Sequence, residues 1–374
     1  MNKSVAVIGT RGYPSFYGGF ETAVRKLCPF LADSGWEVTV YGRPGATLAN
    51  FHDRDERIRS VKTIGMEKKA FSTLSYGATA VLHAVFLKPD VALVMNVANG
   101  FWLPILKARR IPTVVNVDGM EWERAKWGRI ARAVFKLGAR MTARFADEIV
   151  ADSEEIARRW EVEFGRESTF IPYGGDVPEK SGPALDLGHG QYILLVARFV
   201  PENTIEEFFD AAKALAENHP VVLVGSSGYG GPLERQALQL SREFHNISWL
   251  GHISDDNLLS RLWQHAGVYF HGHSVGGTNP ALLQAMAAGA PVVARDTPYN
   301  REVLGTSGIF VGATSAEIAS AISLLMKDPN KRQMLQATAL ERIHERYTWQ
   351  LVCRAYDDLL RLAAKARTTV ERSH

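Results

Sequence analysis

The sequence predicts an α/β protein made of two Rossmann-like, doubly wound domains, and three observations carry that reading. The chain has 374 residues, more than one hydrophobic core usually supports, so two domains are expected. Short β-branched runs alternate with longer helical patterns, which is the signature of a parallel sheet wrapped by helices. The same alternation then repeats beyond a stretch rich in proline and glycine.

In the first series Val5–Ile8, Glu37–Tyr41, Val91–Met95, Thr113–Val117 and Glu148–Ala151 read as strands. The helical pattern from Phe20 to Ala32 stops near Gly35, just before the second of them. The second series takes Tyr192–Val196, Pro220–Val224, Ile247–Leu250, Val268–His271 and Pro291–Ala294. Between the two lies Ile171-Pro-Tyr-Gly-Gly-Asp-Val-Pro178, followed by Ser, Gly and Pro to about Gly190, a composition suited to a hinge. The expected division is therefore an N-terminal domain over 1–175, a second over 176–345 and a terminal segment over 346–374. In that segment Leu351, Ala355, Leu359 and Leu360 share a helical stripe that must pack on something, expected to be the first domain.

Charge and cysteine content narrow the class. Against 43 basic residues stand 40 acidic ones, for a net +3, far too even a balance for nucleic-acid affinity driven by bulk charge. Cys28 and Cys353 are the only cysteines, which excludes a disulfide framework and a cysteine-rich zinc site and points to a reducing cytoplasm. Met1-Asn2-Lys3-Ser4 runs straight into a strand, leaving no room for a signal peptide. No run approaches the roughly twenty apolar residues that cross a bilayer. Membrane contact is expected to be peripheral at most. Its candidate is the basic helical face of Lys126, Arg129, Arg132, Lys136, Arg140 and Arg144, with Trp122 and Trp127 alongside; the alternative is a solvated surface.

The most informative segment is Phe270-His-Gly-His-Ser-Val-Gly-Gly-Thr-Asn-Pro-Ala-Leu-Leu-Gln-Ala-Met-Ala-Ala-Gly-Ala-Pro-Val-Val-Ala294. It reads as a strand end, a glycine loop, a helix and another strand. Thr278 or Asn279 can cap the helix, Pro280 suits its first turn, and Gly289 stops it. A helix that starts behind Gly276-Gly277 presents free N–H groups and a positive dipole end to an anion, and the bare glycines let a diphosphate approach. A simple tight turn is the alternative.

With this segment the chain resembles the retaining family 4 glycosyltransferases of the GT-B fold, in which two Rossmann-like domains face across a cleft. That family carries a Glu, seven residues and a second Glu here. Gly276 and Gln284 occupy those two positions, so both carboxylates are missing. The resemblance implies contact of the first position with the donor sugar and of the second with ribose hydroxyls. A neutral amide forfeits the charge-assisted bond of a carboxylate, which points to a donor with fewer ribose hydroxyls, such as a thymidine diphosphate sugar. The string His271 to Pro280, with Thr297-Pro-Tyr-Asn-Arg-Glu302 after it, looks like a subgroup containing bacterial rhamnosyltransferases. His271 and His273 then contact donor phosphate or sugar, unless they only satisfy backbone groups.

Further positions follow. The loop Gly9 to Glu21 lacks the compact glycine spacing of a dinucleotide fingerprint, which disfavours a NAD-dependent oxidoreductase. In the resembled family it faces the cleft, so Gly18 and Gly19 let backbone approach the ligand while Arg11 and Glu21 orient polar groups. Asp118, after the strand ending at Val117, stands where many relatives have a histidine; it can hold an acceptor hydroxyl or take its proton, with a local turn role as the alternative and Glu121 as the nearby second choice. Arg198 fits the family arginine that neutralises the donor diphosphate, a buried structural arginine being the alternative, and Asn203 stands near the position of an accompanying lysine.

The expected protein is thus a glycosyltransferase with Asp118 and Arg198 as catalytic residues. It takes a nucleotide-sugar donor and a glycan or lipid-linked acceptor, and needs no cofactor and no essential metal. A catalytically inactive sugar-nucleotide-binding module is the rival reading.

Overall fold

The computed structural model describes residues 3–15, 19–47, 54–66, 69–124, 127–228 and 230–372. The chain divides into two compact units, Met1–Tyr173 with Trp349–His374 and Gly174–Thr348. The divisions fall at 173/174 and 348/349, where the sequence placed them at 175/176 and 345/346. The reason is local: Gly175 pairs as an isolated bridge with Thr348 and its N–H donates to the Tyr347 carbonyl at 2.7 Å, so both residues belong to the second unit.

The first unit runs β1 (Lys3–Ile8), α1 (Gly19–Asp33), β2 (Trp36–Gly42), β3 (Arg59–Lys62), α2 (Lys69–Leu87), β4 (Val91–Met95), α3 (Leu103–Ala108), β5 (Thr113–Asn116), α4 (Arg129–Phe145), β6 (Glu148–Ala151), α5 (Glu154–Phe164) and β7 (Thr169–Phe170). Its sheet has the order β3-β2-β1-β4-β5-β6-β7, and each pairing is parallel. The second runs β8 (Ile193–Val196), α6 (Ile205–Leu215), β9 (Val221–Val224), α7 (Pro232–Glu243), β10 (Ile247–Trp249), α8 (Asp256–His265), β11 (Val268–His271), α9 (Pro280–Ala287), β12 (Val292–Arg295), α10 (Pro298–Leu304), β13 (Gly308–Val311), α11 (Ser315–Met326) and α12 (Pro329–Arg346). Its order is β10-β9-β8-β11-β12-β13, again parallel throughout. One face of this second sheet packs Ile193, Leu195, Val221, Leu223 and Phe270 against α6 and α11, with Phe208 stacked on Phe270 at 4.9 Å.

Each of the ten expected strands is present, and three more appear. β3, β7 and β13 are edge strands, and only one of their ten residues is buried; β3 and the two-residue β7 lack the apolar run that marks a strand covered on both faces, whereas β13 carries the short run Ile309-Phe310-Val311. The terminal helix, α13 (Trp349–Arg372), packs on α1, β4 and β5 of the first unit. Its buried stripe is Val352, Tyr356, Leu359 and Ala363, while Leu351 is 41% exposed. The stripe expected from the sequence was therefore misaligned at its start, because Leu351 and Ala355 satisfy a helical period as well as Val352 and Tyr356 do.

The connector is held along α8 and does not hang loose. Arg261 donates to the Gly182 and Pro183 carbonyls at 2.9 and 2.5 Å, Gln264 bonds the Glu179 carbonyl and the Ser181 N–H, and His265 Nε2 meets the Ser181 carbonyl at 2.7 Å. Side chains spaced along one helix thus satisfy a backbone that forms no regular structure of its own.

In the first unit α4 lies unusually close to the 3₁₀ turn Val97–Trp102. A Cβ on Gly138 would sit 2.6 Å from the Val97 carbonyl oxygen, and one on Gly100 would sit 2.2 Å from the Gly138 carbonyl oxygen. Alanine favours a helix by about 1 kcal/mol over glycine, but no Cβ fits against backbone at that distance. We expect Gly138→Ala to lower unfolding stability by about 1–3 kcal/mol in urea titrations. A variant more stable than the native chain would show that the helix does not sit so close.

Candidate functional site

In an open parallel sheet, ligands bind where neighbouring strands send their connections to opposite sides, at the carboxyl ends. In the first unit that point lies between β1 and β4. Gly9, which follows β1, has φ +90, and a Cβ on it would lie 2.2 Å from the Met95 carbonyl oxygen at the end of β4. Arg11 is half-buried and its N–H donates to Glu21 Oε1 at 3.2 Å. Buried Glu21 therefore ties the loop to the first turn of α1, which Gly19 opens. Gly18 lies outside the described residues.

Asp118, beyond β5, takes a left-handed conformation at φ 55. The turn bond comes from another residue: Asn116 Oδ1 accepts from the Asp118 N–H at 2.9 Å, and Asn116 Nδ2 donates to the Tyr356 hydroxyl of α13 at 2.6 Å. The Asp118 carboxylate lies 3.5 Å from Arg124 Nη2. Glu121 is buried and otherwise occupied, with Arg124 Nε 2.7 Å from one oxygen and Trp127 Nε1 donating to the other at 3.0 Å. It braces Arg124. Around the buried Tyr173 phenol, burial first and then the carboxylates of Asp118, Asp152 and Glu21 raise the pKa well above the usual tyrosine range. The acids that act on this phenol come from the loops after β5 and β6 and from the first turn of α1.

Sequence reasoning passed over Asn96, Asn99, Asn116 and Tyr356, which shape this edge. The first three stand at or just beyond strand ends, which is a readable signal. It also passed over a small cavity lined by Thr10, Tyr41, Arg43, Thr73 and Tyr76, about 230 Å³ with its open mouth included. There Arg43 donates to the Ser72 and Thr73 hydroxyls and lies 5.2 Å from the Tyr76 ring centre.

In the second unit the corresponding point lies between β8 and β11. Arg198 follows β8 and is exposed, so it is not a buried structural arginine. Asn203 is buried and joins the two loops: its Nδ2 donates to the Arg198 carbonyl at 2.7 Å and its Oδ1 accepts from His273 Nδ1 at 2.6 Å. Its neighbours repeat the pairing. Thr204 Oγ1 donates to the Gly272 carbonyl at 2.6 Å, and the Ser274 N–H and hydroxyl both donate to the Glu202 carbonyl at 2.9 Å.

The β11 loop then delivers α9. Gly276 has φ +92, a conformation that a glutamate would adopt only under strain. Among the described residues, no hydrogen bond engages the N–H groups of Gly276 or Gly277. Asn279 caps the helix, accepting from the Ala281 N–H at 2.9 Å, so the capping choice left open between it and Thr278 falls on Asn279; Thr278 is buried. Gln284 is half-buried and stands one turn into the helix. Gly289 ends it at φ +77.

The residues 183–342 match the family described as "Glycosyl transferases group 1", and residues 18–174 match the "Glycosyl transferase 4-like domain". The two matches, one in each unit, support a glycosyltransferase. The phosphatidyl-myo-inositol mannosyltransferase of Mycolicibacterium smegmatis is 33% identical over 211 residues, 53% of each chain. The match therefore spans about half the length of that relative. Among solved structures, a sucrose-phosphate synthase from Thermosynechococcus elongatus has 20% identity and a TM-score of 0.80, covering 97% of this chain and 100% of its own. The Anabaena protein HepE in complex with UDP-glucose has 16% identity and a TM-score of 0.73, covering 96% and 99%. These likenesses agree with the fold class expected from the sequence, two Rossmann-like α/β domains of the GT-B kind. Among the described residues no cluster of His, Cys, Asp or Glu could hold a metal ion.

His271 is buried at 4% exposure. The Tyr269 hydroxyl donates to the Val196 carbonyl at 3.3 Å, which makes His271 Nδ1 the donor to the phenol oxygen at 3.0 Å. Nε2 is then a bare acceptor, without a hydrogen-bond partner among the described residues. Burial pushes the imidazole pKa down to about 3. A depressed histidine pKa means that below about 6.5 the unfolded chain binds a proton that the folded chain refuses, so folded stability is intact above that value and falls as the pH drops towards 3. We expect the stability of the native chain relative to His271→Gln to decrease by about 2 kcal/mol between pH 7 and pH 5, read from urea unfolding at both values. A difference independent of pH would contradict a buried neutral ring.

Proposed function

We propose that this chain transfers a hexosyl or deoxyhexosyl group from a nucleotide sugar to a glycan or lipid-linked acceptor in the synthesis of a surface polysaccharide or glycolipid. The observation that carries the reading is the joined pair of loops in the second unit. Exposed Arg198 and the unengaged N–H groups of Gly276 and Gly277 stand on loops tied through Asn203 and His273. A guanidinium together with a helix start is a natural diphosphate site, and it would stabilise charge on a departing nucleotide diphosphate. The nucleotide-sugar complex of the Anabaena neighbour supports the same donor class.

For the donor sugar we favour rhamnosyl from a thymidine diphosphate, because Gln284 offers an amide where the resembled family offers ribose a carboxylate. A mannosyl donor is the second reading, favoured by the name of the Mycolicibacterium relative, which also supports a lipid acceptor. His273 and Gln284 would face the donor, with the buried His271 and Thr278 behind them. In the first unit Asp118 holds or deprotonates the acceptor hydroxyl, with Arg124 keeping its carboxylate charged and in place. Retention of configuration follows from the resemblance. The catalysis is carried by positioning and by fixed charge.

The deciding experiment incubates the chain with a panel of nucleotide sugars and lipid-linked acceptors and follows released nucleotide and glycosylated product. Binding without turnover under every pairing would sink the enzyme reading in favour of an inactive binding module. We expect Arg198→Ala to weaken donor affinity about 10–100-fold by titration calorimetry, the loss expected for a charge-assisted contact. Asp118→Asn should leave donor affinity unchanged and lower kcat about 10²–10⁴-fold. Native kinetics in either variant would remove that residue from the site.

A further inference from the structure

The first unit has a surface that the transfer chemistry does not use. α2, α3 and α4 lie side by side, packed on the 3₁₀ turn Val97–Trp102 and on one another. The three helices together contain no aspartate or glutamate, although the chain has 40 acidic residues and several would fall here at its average frequency. α4 carries Arg129, Arg132, Lys136, Arg140 and Arg144, and the exposed Lys88, Lys107, Arg109 and Arg110 stand at the ends of α2 and α3. Lys136 is paired with Glu163 of α5 at 2.8 Å.

Apolar side chains are set among these cations. On α4, Phe135, Gly138, Ala139 and Thr142 are buried, while Ile130 is 81% and Leu137 47% exposed. Ile130, Ala133, Leu137, Arg140 and Arg144 follow one another at intervals of three or four, so they form one exposed line. At the end of α2, Phe86 is 83% and Leu82 51% exposed. No described helix is long and apolar enough to cross a membrane. An amphipathic helix with cations flanking bare apolar residues lies in the plane of a lipid surface, where the headgroups meet the charges and the apolar tips enter the acyl boundary. A nucleic-acid backbone would satisfy the cations and leave Phe86 and Ile130 without purpose.

We propose that the acid-free layer of α2, α3 and α4 docks this chain on an anionic lipid bilayer. The proposal deepens the lipid-linked acceptor suggested above and rests on that reading for its purpose. Docking would bring the first unit to where such an acceptor resides and replace a search in three dimensions by one in a plane.

The test is flotation of the full chain with vesicles of phosphatidylcholine alone, or of phosphatidylcholine with about one third phosphatidylglycerol, across a salt series. The vesicles contain no acceptor and no nucleotide sugar, so the outcome is independent of whether the chain transfers sugar. We expect recruitment by the anionic vesicles alone, weakening as salt rises. Arg140→Gln with Arg144→Gln should lower the partition coefficient about thirtyfold. Ile130→Ser with Leu137→Ser should lower it at constant charge. Both pairs are exposed and on one helix, and their unfolding curves and nucleotide affinity should match those of the native chain. Equal recruitment by neutral vesicles, native binding by both double variants, or binding to an oligonucleotide duplex but to neither vesicle would overturn the proposal.

Discussion

An all-parallel sheet releases each strand at the same edge, and that constraint organises this chain. Each connection must cross to the far end before the next strand begins, so loops gather at the carboxyl ends and helices cover the faces. Where the order reverses, between β1 and β4 and again between β8 and β11, two neighbouring loops part and leave a crevice. The polar residues with chemistry to offer stand on these edges: in one unit Arg11 and Glu21 follow β1 while Asp118 and Asp152 follow β5 and β6, and in the other Arg198 follows β8 while His273, Gly276 and Gly277 follow β11. Their placement follows from topology before any side chain is considered.

Topology leaves the loops free to move, and hydrogen bonds within each unit remove much of that freedom. In the second unit three successive residues, Glu202, Asn203 and Thr204, bond to Ser274, His273 and Gly272. The run of bonds makes the two loops one body, so an Arg198 backbone displaced by a ligand would pull on the start of α9. A lysine at 203 would supply charge but could not both donate to the Arg198 carbonyl and accept from His273. The neutral amide exchanges a second positive charge for rigidity. In the first unit Asn116 plays the equivalent part, turning the chain at Asp118 and reaching Tyr356 on α13. The terminal helix thereby props the Asp118 loop.

Much of this was legible in the sequence, and what was not has physical reasons. The inner strands announce themselves as β-branched runs because both of their faces are covered. β3 and β7 do not, because a sheet edge needs no such run; β13 offers only the three residues Ile309-Phe310-Val311. The capped start of α9 could be read from Asn279, Pro280 and Gly289, since capping is local chemistry. By contrast, the role of Asn203 depends on a partner seventy residues away, and that of Glu121 on Trp127 and Arg124 turning back on it. No periodicity reports such pairs. Trp122 and Trp127 were grouped with a membrane-facing surface, but both turn inward. Trp122 packs on Trp160 and Phe164, and Trp127 lies 5.1 Å from Phe135. Lys126, grouped with them, lies outside the described residues. The connector misled through composition, since proline, glycine and serine describe a backbone without regular structure and say nothing of the arginine and glutamine that hold it.

Net charge is the last case, because it describes the chain as a whole and conceals how the charges are distributed. A balance of +3 rules out attraction by the chain as a whole, but screening confines each charge to about 8–10 Å in physiological salt. Acidic residues beyond that radius therefore do little to cancel the cations of α4, among which Lys136 is paired with Glu163 of α5. What a lipid headgroup senses is the charge within that radius, and there the three helices contribute cations alone. Bulk neutrality and local attraction are compatible, and together they would suit the docking proposed above. A uniformly basic chain would bind anionic surfaces through any face and hide its own crevices as often as it exposed them. Segregation of the acids away from one layer confers direction, which the total number of cations cannot.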